Sequence, residues 1–199
     1  LDLLHFTGKI IRFKRGDHIR PLTNAGIIIW IVFFISVVAG TVYGRFHFRT
    51  ERITIEYEGL SKDLDGLRIV QISDLHVSGF YRHNAKLEEA MKIVNELNPD
   101  ILINSGDFVS IGWREFGRND TVISKASGRL GSFAVLGNHD IGTYYKGLNK
   151  AGLDSNIQRM NELIRASGYT LLIDDHVIIK SGDARIGIAG IITKGRHPD

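Results

Sequence analysis

Phe133-Ala134-Val135-Leu136-Gly137-Asn138-His139-Asp140 is the stretch on which the reading of this chain turns. Its first four residues are a short apolar run of the kind that forms a buried strand. The glycine lets the backbone turn sharply, and three side chains able to bind a cation or move a proton follow at once. Two earlier runs end the same way. Ile69-Val70-Gln71-Ile72 passes into Ser73-Asp74-Leu75-His76, and Ile101-Leu102-Ile103 passes into Asn104-Ser105-Gly106-Asp107. In open α/β sheets, ligands collect outside the carboxyl ends of the strands. The three runs therefore predict three strand tips around one site.

Helical patterns separate the runs. Leu87, Ala90, Met91, Val94 and Leu97 share one face of a helix expected over residues 84–97, which Pro99 stops. A polar stretch with a helix near 120–127 leads to the third run. After a loop from Gly142 to Gly152, a helix capped at Asp154 or Ser155 runs to about Ala166. It buries Ile157, Met160, Leu163 and Ile164, and Gly168 suits its end. Strands alternating with helices argue for an α/β fold of βαβ units around a largely parallel sheet. Further strands are expected where Ile53, Ile55 and Tyr57 alternate with polar residues, and over 169–173, 177–180 and 184–192. Ser181-Gly182-Asp183 makes a tight turn between the last two.

Charge divides the chain. Residues 1–52 hold eight Lys/Arg against three Asp/Glu, a balance of +5, and the rest of the chain balances at −2. A nucleic-acid surface would need a basic face on the folded domain, so no nucleic acid is expected. There is no cysteine, which excludes disulfides and thiolate metal sites. Residues 1–20 mix basic and apolar residues, as a membrane-proximal segment or a solvated connector does. Residues 21–44 carry no charge and are long enough to span a bilayer, since about 20 helical residues cross it. A retained transmembrane helix is expected, with the domain at 51–199 held at the membrane. Five Lys/Arg precede the span and four follow it, which leans toward an extracytoplasmic domain.

The strand tips carry chemistry. Asp74 and His76 are two apart, and in extended geometry they would point the same way. Asp107 follows Asp74 by 33 residues and Asn138 follows Asp107 by 31, each gap the length of one βαβ crossover. Carboxylate oxygens, an amide carbonyl and an imidazole suit a pair of divalent ions of the Mn, Fe or Zn type. Such a pair can activate a water for in-line displacement at phosphorus. His139 would face the substrate, and Asp140 would fix its tautomer. Arg82 and His83 read as a solvated loop, Asn104 and Ser105 as satisfying backbone groups. Tyr144 and Tyr145 either border the pocket or simply pack.

Asp74-Leu75-His76, Gly106-Asp107 and Gly137-Asn138-His139-Asp140 together resemble the opening motif blocks of the calcineurin-like metallophosphoesterases, over about residues 68–192. A span just before the domain is similar to the membrane-anchored bacterial branch of that family. The resemblance implies the layered metallophosphoesterase fold, with Asp74 and His76 on a first metal, Asp107 bridging, Asn138 on a second, and His139 catalytic. It implies a hydrolase acting on phosphate esters or pyrophosphates, and a lipid-linked envelope substrate such as UDP-diacylglucosamine is one candidate. The family's later histidine blocks are not matched; His5, His18, His47, His83, His176 and His197 read as surface or loop residues. With Leu1 at its start and Pro198-Asp199 closing it just after a strand-like run, the chain is expected to be the N-terminal part of a longer enzyme, weak in metal binding and activity alone. The competing reading is a membrane-tethered binding domain that keeps the fold without turnover.

Overall fold

The computed structural model describes residues 20–192, which divide into two units near Arg52 and Ile53. The expectations for residues 1–19 and for His197 lie outside the described residues.

Among the described residues, the first unit holds one long helix, α1 (Arg20–Val42), followed by a 3-10 turn at Gly44–Phe46. Its 23 residues rise about 34 Å, enough to cross a hydrocarbon layer of about 30 Å. It is apolar all round and exposed over Thr23–Val42. The hydroxyls of Ser36 and Thr41 donate to the carbonyls of Val32 and Val37, each at 2.8 Å.

The second unit is built on four parallel strands, β1 (Ile69–Ile72), β2 (Ile101–Asn104), β3 (Gly131–Ala134) and β4 (Thr170–Leu171), lying side by side in chain order. The connections carry α2 (Asn84–Glu96), the short α3 (Asp120–Ile123) and α4 (Lys150–Ala166). Alternate strand residues feed two cores, as expected of a parallel sheet covered on both faces. Val70, Ile72, Leu102 and Ala134 pack with the helical residues Leu87, Met91, Val94, Met160 and Ile164. Ile101, Ile103 and Phe133 pack with Val177, Ile179, Ile186 and Ile188 of an antiparallel pair, β5 (Asp175–Ser181) and β6 (Ala184–Gly190). The turn between β5 and β6 holds Gly182 at φ 60°. The α/β class and the parallel sheet are as the sequence predicts.

Several boundaries differ. The strand expected at Ile53, Ile55 and Tyr57 does not form, and all three side chains stand in solvent. Alternation says which face of a strand is apolar but supplies no neighbouring strand to pair with. β3 begins two residues before Phe133 because its ladder starts where β2 starts, Gly131 opposite Ile101. The helix expected over 120–127 stops at Ile123. Next comes a Ser- and Gly-containing turn, in which the Ser132 hydroxyl accepts the Gly128 N–H. Helix α4 starts four residues before Asp154, because Asn149 caps it by accepting the Gly152 N–H at 2.9 Å.

Candidate active site

The first three strands end level, and the segments that leave them are stitched to one another. Asp74 N donates to Gly106 O, His76 N to Asp107 O, and Val77 N to Phe108 O, at 2.9–3.1 Å. These bonds extend the β1–β2 pairing into irregular backbone. The irregularity is specific: Asp74, His76 and Asp107 have φ of 53°, 40° and 58°. Left-handed conformations at non-glycine residues cost on the order of 1–3 kcal/mol each and persist where the surroundings over-determine them. The extended backbone expected at Asp74 and His76 does not form. β1 ends at Ile72, and two left-handed residues bring Asp74 Oδ1 to 3.7 Å from His76 Nε2.

Close backbone approach needs the glycines. A Cβ at Gly106, itself at φ 105°, would overlap the Gly137 backbone, and a Cβ at Gly137 would overlap the Asp107 carboxylate. Asn104, wholly buried at the end of β2, accepts the Gly106 N–H at 2.9 Å, in keeping with its expected role. Ser105 instead accepts from Gln71 Nε2.

The polar groups converge at this junction. Asp107 Oδ1 accepts the His139 backbone N–H at 2.9 Å. The His76 and His139 rings meet edge to face, 4.8 Å between centroids. One ligating atom each from His76, Asp107 and His139 lies within 4.8 Å of the others. Both imidazoles are oriented by the segment after β2. His76 Nδ1 lies 3.1 Å from Val109 O, with Ser110 Oγ at 3.2 Å, and His139 Nδ1 lies 2.6 Å from Ser110 O. A carbonyl only accepts, so Nδ1 carries the proton on each ring and Nε2 is left with its lone pair. Hard carboxylate oxygens beside imidazole nitrogens at this separation fit a divalent cation of the Mn, Fe or Zn type.

Asp140 does not do what the sequence predicts. It is wholly buried. Its Oδ2 accepts the N–H groups of Asp107 (2.8 Å) and Gly137 (3.0 Å), and its Oδ1 accepts that of Val109 (3.2 Å). The oxygen on His139 Nδ1 belongs to Ser110, so Asp140 fixes the loops and not the tautomer. Burial pushes the Asp140 carboxyl up to about 6; the three N–H donors pull it down and the charge of Asp107 adds to the rise. Asn156 joins α4 to this junction, donating from Nδ2 to Asp140 O (2.8 Å) and accepting from Trp113 N (3.0 Å).

Asn138 lies beside His139 and donates from Nδ2 to the Tyr144 hydroxyl at 3.2 Å. The Tyr144 ring stacks on His139. Tyr145 turns elsewhere, its hydroxyl accepting from Arg114. Arg82 lies over the exposed Tyr81 ring, and His176 is exposed on β5. The sequence reading missed Ser110 and Asn156. Nothing in the pattern marks Ser110. Asn156 carried a signal: with Met160 and Ile164 it occupies the buried register of α4, where an amide demands polar partners.

Known proteins resemble this chain over the unit that carries the strands. The family model described as calcineurin-like phosphoesterase matches residues 67–191. An uncharacterized metallophosphoesterase of Aquifex aeolicus is 31% identical over 150 residues, 74% of this chain and 52% of that protein. A transmembrane protein with metallophosphoesterase domain from Danio rerio is 31% identical over 124 residues, 62% of this chain and 26% of that protein. The UDP-2,3-diacylglucosamine pyrophosphatase LpxG of Chlamydia trachomatis is 44% identical over 82 residues, 41% of this chain and 25% of that protein. The chain spans about half the length of the first of these relatives and about a quarter of the other two.

Proposed function

The chain belongs to the calcineurin-like phosphoesterase family, and from that premise we propose that it is the site-bearing part of a membrane-anchored, metal-dependent hydrolase of phosphate ester or pyrophosphate bonds, with a lipid-linked envelope substrate of the UDP-diacylglucosamine type. The observation that carries the reading is the convergence of His76, Asp107 and His139 just beyond the ends of consecutive parallel strands, with Asp74 beside His76 and each imidazole tied through Nδ1.

In this reading Asp74, His76, Asp107 and Asn138 would hold the divalent cations. Bound there, the cations would supply Lewis acidity to the phosphoryl oxygens and lower the pKa of a water. The protein's own part is positional. His139, held through Nδ1 by Ser110 O, would act through Nε2: once protonated there, it would donate to the leaving-group oxygen. Asp140 keeps the segments after β2 and β3 at one spacing, so the cation ligands and His139 meet the substrate together. The exposed apolar helix α1 supports the anchor, and an anchored site favours substrates that lie at the bilayer. The likeness to LpxG over 82 residues supports the lipid-linked class.

The test is hydrolysis of bis(p-nitrophenyl) phosphate and of UDP-2,3-diacylglucosamine by the full-length protein with Mn²⁺, Zn²⁺ or Fe²⁺. Turnover is expected with at least one metal and one substrate. Asp107→Ala and His139→Ala should each reduce it by about 100-fold or more. Metal binding without turnover on either substrate would overturn the hydrolase reading in favour of a tethered binding domain.

A further inference from the structure

We propose that Tyr144 is a positioning residue of this site, holding the Asn138 amide and the His139 imidazole as one unit. The proposal rests on the phosphoesterase reading above. Two contacts carry it. The Tyr144 hydroxyl accepts from Asn138 Nδ2 at 3.2 Å, and the Tyr144 ring stacks on His139 with centroids 4.3 Å apart and planes inclined by 21°.

The first contact matters because an amide has two unlike ends of nearly the same shape. Only Oδ1 can face a cation; Nδ2 presents protons and would repel one. A hydrogen bond at one end of the amide ties the side chain to one orientation, and here the Tyr144 hydroxyl is bonded to Nδ2. The carbonyl end is thereby turned away from Tyr144. Outer partners of this kind typically change metal affinity by about 10–100-fold when removed.

The second contact completes the support of His139. Its Nδ1 is anchored on Ser110 O and the edge of its ring meets His76. Tyr144 covers a face of the imidazole and leaves Nε2 unobstructed by these partners. Simple packing does not account for the tyrosine. Its side chain is 53% exposed, so it fills no core. It sits in a turn between two glycines at positive φ, Gly142 and Gly147, and its hydrogen bond and its ring contact are both with polar residues of the site. The adjacent Tyr145 does the packing, against Gly112 and Arg114.

The test compares Tyr144→Phe and Tyr144→Ala with wild type in the full-length protein. It reads Mn²⁺ affinity by calorimetry, kcat and KM on bis(p-nitrophenyl) phosphate, and Tm. Tyr144→Phe keeps the ring and loses the acceptor, so Mn²⁺ affinity should fall about 10-fold with Tm unchanged. Tyr144→Ala should lose the same affinity and in addition lower kcat, with KM moving little. In an Asn138→Ala background, Tyr144→Phe should change Mn²⁺ affinity by less than about twofold, because the amide it orients is gone. Wild-type Mn²⁺ affinity in Tyr144→Phe, or an equal loss with and without Asn138, overturns the proposal. A wild-type protein that binds Mn²⁺ but cleaves no phosphoester sinks the hydrolase reading, and the affinity comparison still decides the role of Tyr144. A wild-type protein that binds none of Mn²⁺, Zn²⁺ or Fe²⁺ overturns both.

Discussion

Asp140 spends its two oxygens on three backbone N–H groups drawn from two separate segments. Asparagine is nearly the same shape but replaces one acceptor with a donor. In Asp140→Asn, at least one of those N–H groups would face an amide N–H₂ inside a dry interior. A buried donor left without an acceptor costs about 1–3 kcal/mol. The urea midpoint of Asp140→Asn should fall accordingly at pH 7, and an unchanged midpoint would show that the three bonds carry no stability. The sequence made the residue types and their order legible: Asp74, His76, Asp107, Asn138 and His139 all lie at strand tips, as their positions after apolar runs predict. It did not reveal the partner of Asp140. A carboxylate's partner depends on the path of backbone some 33 residues away, at Asp107, and no local pattern encodes that path. The left-handed backbone at Asp74 and His76 was hidden for a related reason, since it goes with the hydrogen bonds their N–H groups donate to the Gly106 and Asp107 carbonyls.

At the scale of the element, each strand has a chemical end and a structural end. At the amino ends, Asp100 clasps the sheet. Its Oδ2 accepts the Arg68 backbone N–H at 2.9 Å, just before β1, and its Oδ1 meets Arg129 Nε at 2.8 Å and Nη2 at 2.7 Å, just before β3. A cavity of about 540 Å³ opens beside this clasp, at the amino ends of the strands and not at the ends that carry the site. The Arg68 N–H and, beyond the opposing effect of burial, the Arg129 guanidinium hold the Asp100 carboxyl below its ordinary value. A carboxyl depressed in the folded state adds stability above its unfolded pKa, near 3.9, and loses it as pH falls through the lower folded value. Asp100→Asn should therefore cost about 1 kcal/mol at pH 7, and its deficit against wild type should shrink toward pH 3. A deficit that stays constant between those pH values would show that the charge contributes nothing. Helices were the most legible elements: the stripe of α2 and its end near Pro99 match to one residue. Strands were less so. Ile53, Ile55 and Tyr57 carry a strand's alternation and pair with nothing among the described residues, because pairing is a property of two segments and pattern a property of one.

For the molecule as a whole, the two units call for different solvents. The site-bearing unit buries its apolar residues on both faces of the sheet, whereas α1 leaves Ile27–Phe34 in the open. In a Triton X-114 phase separation the full chain should enter the detergent phase, and a version starting at Glu51 should stay in the aqueous phase. Recovery of the full chain in water would remove the basis for a bilayer anchor. The strand order has a consequence for biosynthesis. β1 to β4 lie in the sequence in which the ribosome emits them, so every strand after the first is born next to a finished neighbour. At about 5–20 residues per second, the roughly 30-residue spacing gives each about 2–6 s to dock before the next emerges. After β1, no strand has to wait for a first partner still untranslated, and the sheet can be laid down like courses of brick.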